Sequence, residues 1–220
     1  MTLSRRTALV ATASTALATL ARPSFTHMAF TNTAAAQTAI QDAPASDART
    51  TERGLGEPGA KVVVNEWFSL TCTHCAEFQK TTFPRIRKEL IDTGRIRYVW
   101  RDYPLDQVAL TAAMVARALP ADRYEPFIST LLLTQDRWAF TRGVNTTDEL
   151  AKLAALAGMP RATFNDTIAD AGLKQAILQA QDQAEQKLSI TSTPSFVING
   201  KVTAGAVGYP AFQALVDAQS

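Results

Sequence analysis

The chain has 220 residues, 46% of them hydrophobic, enough for one domain with a core or for one domain carrying an inserted lobe. Its 22 basic residues against 20 acidic ones include Arg5, Arg6 and Arg22 in a leader without Asp or Glu, and the remainder is 19 against 20. That balance excludes the concentrated positive charge of a nucleic-acid binder. The two cysteines, Cys72 and Cys75, are too few and too close for a disulfide scaffold. A bridge over so short a loop restricts the unfolded chain little, so its value is chemical. Zinc would need a full tetrahedral ligand set, and besides His74 the only histidine is His27, in the leader. No metal and no cofactor is expected.

Residues 1–36 read as an export signal, with a basic start, an apolar Ala/Leu/Val stretch over residues 8–21, and Ala34-Ala35-Ala36 for cleavage. The apolar stretch is too short to span a bilayer and ends at Arg22-Pro23, so no stable membrane insertion is expected. Ser4-Arg5-Arg6 resembles a twin-arginine signal, although Ala8 stands where that pattern has a bulky apolar residue and the following Lys is missing. The general secretory route stays open, as do a transit peptide and a disordered Ala/Thr tail. Residues 37–56 are polar without an apolar period and read as a flexible linker. Gly54, Gly56 and Pro58-Gly59 mark turns before the first strand.

Residues 62–68 read as a strand with Val62, Val64, Glu66 and Phe68 on one face and Val63, Asn65 and Trp67 on the other. Apolar bulk on both faces fits a central strand covered on both sides. Glu66 is the anomaly, a carboxylate expected to be desolvated and raised in pKa. Beyond the cysteines, Phe78, Phe83, Ile86 and Leu90 recur at helical spacing, Pro84 predicts a kink, and Gly94 a stop. Ile96, Tyr98 and Trp100 alternate with Arg95, Arg97, Val99 and Arg101, a second strand, parallel to the first if the two pair.

Residues 106–188 are helical almost throughout. Ala109, Ala112, Ala113 and Ala116 line one segment, and Tyr124, Phe127, Ile128, Leu131 and Leu132 line another. Such stripes are core faces rather than a cofactor box. Thr146 to Glu149 has the form of a capping box, Gly158 ends that helix, Pro160 opens the next at its first position, and Gly172 precedes a last helix over residues 173–188. Residues 195–198 and 201–204 flank Asn199-Gly200, which suits a hairpin with a type I′ turn, and Pro210, Phe212, Leu215 and Val216 predict a closing helix.

Cys72 falls where strand gives way to helix, so unpaired N–H groups and the positive end of the helix dipole favour its thiolate. His74 adds a positive charge or a hydrogen bond nearby, or is an exposed bystander. A stabilised thiolate makes the reduced form more stable and the disulfide a stronger oxidant. Cys72 is then the attacking and attacked sulfur, and Cys75, deeper in the first turn, resolves the mixed disulfide. The bland alternative is a pair of buried, inert thiols.

The stretches EWFSLTCTHCAEF, RDYPL and TPSFVINGK, in this order and followed by a terminal helix, resemble the DsbA-like thiol:disulfide oxidoreductases over residues 54–218. The resemblance implies an α/β thioredoxin-like fold with an inserted α-helical lobe. Residues 57–105 and 189–220 would form the thioredoxin-like domain and residues 106–188 the insertion. It places Cys72 and Cys75 as the redox pair, His74 between them, Glu66 as the acidic residue beneath, and Thr193-Pro194 as a cis-proline loop. There an extended substrate could pair with the Thr193 backbone, and Glu66 could relay a proton to or from Cys75. Thr73 stands where strongly oxidising members often have Pro.

The implied activity is donation of the Cys72–Cys75 disulfide to exported cysteine-containing proteins in the periplasm. Reoxidation would come from a quinone-linked membrane partner of the DsbB type. The alternatives are an isomerase, a reductant, and a peptide-binding holdase with incidental cysteines. A monomer is expected, because residues 37–56 are too short for the dimerisation domain of a dimeric isomerase.

Overall fold

A computed structural model describes residues 47–219; the expected export signal and residues 37–46 of the expected linker lie outside them. Five strands form one mixed sheet, in the order β1 (Arg53–Leu55), β3 (Ile96–Asp102), β2 (Val62–Phe68), β4 (Ser195–Ile198), β5 (Lys201–Ala204). Strand β2 is central and both faces are covered, as its two-sided apolar pattern requires. One face packs Val62, Val64 and Phe68 with Phe78, Tyr98, Trp100, Phe196 and Phe212. The other packs Trp67 and Val197 against Tyr103, Ala184 and Ile190.

Strands β2 and β3 run parallel, with Val64 opposite Tyr98 and Glu66 opposite Trp100. Their crossover is helix α1 (Thr73–Thr81) followed by α2 (Phe83–Ile86), which continues into a π-helical turn over Arg87–Ile91. The break at Thr82 is the kink expected from Pro84, which restarts the helix within its first turn instead of interrupting a ladder. Gly94, at φ +73, ends the segment.

Between β3 and β4 the chain forms a helical lobe: α3 (Gln107–Ala118), α4 (Ala121–Leu133), α5 (Gln135–Trp138), α6 (Thr146–Leu156), α7 (Arg161–Ala169) and α8 (Ala171–Leu188). The architecture is the expected thioredoxin-like sheet with an inserted helical lobe. The β4–β5 hairpin turns through Asn199 (φ 44) and Gly200 (φ 86), both left-handed as a type I′ turn demands. Helix α9 (Tyr209–Asp217) closes the fold by setting Phe212 against Phe78, Tyr98 and Phe196. No helix of the described residues is long and apolar enough to cross a membrane.

Local boundaries differ from expectation where a side chain outcompetes the pattern. The cap of α6 is Asn145, whose side chain accepts from the Asp148 N–H, one residue before the expected Thr146. Pro160 caps α7 from outside instead of occupying its first position. Asp170, not Gly172, separates α7 from α8, because its carboxylate takes the Leu173 N–H and leaves Gly172 inside the first turn.

The larger correction concerns residues 37–56. From Asp47 onward the expected linker is folded. Asp47 caps a short turn over Ala48–Thr50, Arg117 donates to the Thr51 carbonyl, and Arg53–Leu55 pairs antiparallel with β3. A strand this short has no readable period, and its middle residue, Gly54, reads as a turn. Gly54 is there because a Cβ would stand 2.5 Å from the Tyr98 carbonyl oxygen. Gly54→Val should therefore cost about 1–3 kcal/mol in urea unfolding; a flexible linker at this position would leave stability unchanged.

Candidate active site

Antiparallel pairing of β2 with β4 sets Trp67 opposite Ser195. The chain entering β4 therefore passes the end of β2 from which the chain continues to the cysteines, and Thr193-Pro194 meets Cys72 across 121 residues of sequence. The Thr193–Pro194 peptide bond is cis.

Cys72 is the N-cap of α1, with extended backbone angles and its sulfur accepting the Cys75 N–H at 3.4 Å. It is 7% exposed while Cys75 is fully buried, so an external sulfur can reach only Cys72. Both are free thiols here. From the opposite side the Thr193 carbonyl oxygen lies 3.3 Å from the Cys72 sulfur and accepts its proton in the thiol form. The Thr193 hydroxyl is buried near the same sulfur.

The charges follow from these contacts. A hydrogen bond from the Cys75 thiol does most to hold Cys72 down, to about 5, against the opposing effect of burial; Thr193 and the backbone N–H groups of Cys75 and His74 assist. Burial pushes Cys75 far up, and its hydrogen bond to Cys72 and the charges of Glu66 and Cys72 push the same way. The pair thus consists of one thiolate and one thiol, with the charge on the reachable sulfur. His74 is exposed, and the group it turns toward the sulfur is its backbone N–H; its imidazole makes no hydrogen bond among the described residues.

Glu66 lies in β2 below the pair, 3% exposed among aromatic rings. Burial raises it to about 7; a hydrogen bond from the Tyr98 hydroxyl, 2.8 Å away, opposes the rise and the Cys72 charge adds to it. Its hydrogen-bond partner is the neutral Tyr98 hydroxyl, with no cation beside it in an ion pair among the described residues. Among the described residues no group of three or more His, Cys, Asp or Glu is placed to hold a metal ion.

Three residues escaped the sequence reading. Tyr98 counted only as an apolar position of β3, although parallel register puts it on the same face as Glu66. Asp106, the N-cap of α3, accepts from the Thr71 hydroxyl at 2.7 Å. Gln135 of α5 donates to the Leu70 and Cys72 carbonyls. No local pattern signals the last two, since both act on a turn more than thirty residues upstream.

With this geometry in hand, the likenesses are specific. The thioredoxin family profile matches residues 48–218. A Rickettsia felis protein named for protein-disulfide oxidoreductase activity is 30% identical over 150 residues, covering 68% of this chain and 53% of its own length. The chain thus spans about half the length of the Rickettsia relatives it matches. The crystal structure of Wolbachia pipientis alpha-DsbA1 superposes with a TM-score of 0.71 at 30% identity, covering 77% of this chain and 91% of that one. BdbD from Bacillus subtilis shares the fold, with a TM-score of 0.67 at 20% identity over 76% of this chain and 92% of its own. The chain belongs to the thioredoxin family, in its DsbA-like form with a helical lobe inserted into the sheet domain.

Proposed function

We propose that the protein is a periplasmic thiol:disulfide oxidoreductase that donates a Cys72–Cys75 disulfide to exported proteins. The observation that carries this reading is the division of charge, with the reachable Cys72 held down to about 5 and the sealed Cys75 kept as a thiol. A substrate thiolate attacks Cys72 Sγ, the Cys72–Cys75 bond breaks, and Cys75 leaves with the electron pair and takes a proton. A second substrate thiolate then attacks the substrate sulfur of the mixed disulfide, and Cys72 leaves as the stabilised thiolate. The substrate loses two electrons to the dithiol. A quinone-linked membrane partner of the DsbB type would reoxidise it.

Thr193 and Pro194 are the substrate-facing residues in this reading. Thr193 offers a carbonyl beside Cys72 to which an extended peptide N–H can bond, so that the substrate's cysteine arrives in line with the sulfur. Glu66 supplies the proton that Cys75 needs on leaving, and a carboxyl near 7 is poised to give or take one at neutral pH. His74 contributes through its backbone N–H at the helix start. An isomerase or reductant of the same fold would use the same groups. What favours the oxidant is the stabilised thiolate, which lowers the energy of the reduced form. Export rests on the basic and apolar pattern of residues 1–36.

Disulfide transfer to a reduced, cysteine-containing exported protein should be abolished in Cys72→Ala. A holdase would keep suppressing aggregation of that protein while transferring nothing in either form.

The sign of the Cys72 effect is fixed. A thiol depressed in the folded state adds stability above its unfolded pKa and loses it as pH falls through about 5. The reduced protein should therefore melt above the oxidised one at pH 7, with the gap closing toward pH 5. An oxidised form that melts higher at pH 7 would mark a reductant.

Glu66 has the opposite sign. Its raised pKa means that stability is full below the ordinary carboxylate range and declines as pH rises through about 7. Glu66→Gln should stabilise the reduced protein by about 3 kcal/mol above pH 8, with no gain below about pH 4. It should also slow exchange at neutral pH by about tenfold or more. Gained stability with unchanged exchange would remove Glu66 from the proton path.

A further inference from the structure

The turn that presents Cys72, Ser69 to Cys72, is tied to the helical lobe by side chains, and one of these ties reaches the nucleophile's own peptide. The Gln135 amide, buried at the start of α5, donates from a single nitrogen to the Leu70 carbonyl at 2.8 Å and to the Cys72 carbonyl at 3.0 Å. The Cys72 carbonyl also accepts the Ala76 N–H at 3.1 Å, the first bond of α1. Both of its lone pairs are thus engaged, and the peptide plane leaving Cys72 is held from two sides.

Gln135 is itself held firmly. Its carbonyl accepts the Ala139 N–H at 2.9 Å, and the Trp138 indole donates back to the Leu131 carbonyl at 2.8 Å, locking α5 against the end of α4. A second tie, Thr71 to Asp106, docks the same turn on α3. Gln79 of α1 donates to Ser129 of α4 at 3.1 Å, so the active-site helix rests on the lobe as well.

We propose that Gln135 is a positioning residue for the Cys72 nucleophile, through which the helical lobe sets the thiolate's alignment on the start of α1. The reading rests on the dithiol chemistry proposed above. Part of what holds the Cys72 charge is the Cys75 N–H, 3.4 Å from the sulfur, in the first turn that begins at the peptide plane Gln135 pins. The amide also sets its positive N–H end against two carbonyl oxygens whose partial negative charge lies close to the thiolate. Removing the donor leaves the Cys72 carbonyl held by the Ala76 N–H alone and takes the amide away from the Leu70 carbonyl, so the turn is less tightly fixed and carries more uncompensated negative charge. Both changes disfavour the thiolate.

Gln135→Met keeps the length and bulk of the side chain and removes the donor, while Thr71–Asp106 still docks the turn. We expect titration of thiolate absorbance to show the Cys72 pKa raised by about one unit. The equilibrium with glutathione should move up to about tenfold toward the protein disulfide, a less oxidising protein. A lowered melting temperature with pKa and equilibrium unchanged would make Gln135 a plain structural support and overturn the proposal. An ordinary Cys72 pKa in the wild type would overturn the oxidant reading and this one with it, whereas a wild-type value near 5 matched by the variant overturns the role of Gln135 alone. Should the variant not fold, the unaltered protein carries the test. The Gln135 side-chain amide resonance should shift with a midpoint at the Cys72 pKa, and an amide that does not respond overturns the proposal.

Discussion

Everything at this site depends on where one negative charge can sit. Three acidic groups, Cys72, Cys75 and Glu66, share a small buried volume in which more than one charge would be costly. Cys72 takes the charge because the Cys75 thiol donates to its sulfur and the start of α1 adds N–H groups. Cys75, one turn along, is sealed off, and Glu66 meets aromatic rings and a single tyrosine hydroxyl. The charge on Cys72 in turn discourages ionisation of both neighbours. A dithiol in which both sulfurs were equally exposed would lack this order, and with it a defined nucleophile and a defined leaving group.

The fold supplies the parts from three directions. The parallel β2–β3 pair sets Tyr98 against Glu66 beneath the dithiol, the antiparallel β4 delivers Thr193 to its side, and the helical lobe grips the turn that carries it. The lobe is therefore part of the site's framework as well as a cover. Its polar contacts to the turn come from Asp106, at the first residue after β3's loop, and from Gln135, at the join of α4 and α5. These are helix ends, where backbone geometry is already constrained by capping, so a side chain placed there has a fixed aim.

The sequence was most legible where a short-range rule had no competitor. Asn199-Gly200 between two strand-like runs admits one tight hairpin, and Pro84 marks a break in its helix. Expectation slipped where two local signals coincided. Thr146 lost the cap to Asn145, and Gly172 looked like a break although Asp170 had already made one. Residues 53–55 were unreadable as a strand because three residues have no period and because Gly54, chosen for its close approach to the Tyr98 carbonyl, carries the appearance of a turn.

By itself the sequence determined a reachable cysteine at a strand-to-helix junction, a second one sealed a turn later, and a carboxylate in a strand apolar on both faces. Each of these is a consequence of spacing along one segment, and spacing is what a sequence records. Tertiary structure alone decided that Glu66 would face Tyr98, that Thr193 would lie against the Cys72 sulfur, that the His74 side chain would be exposed, and that Gln135 would donate to the Cys72 carbonyl. Those contacts join groups 32 to 121 residues apart or depend on which way a side chain turns. They depend on register and packing that no short pattern encodes.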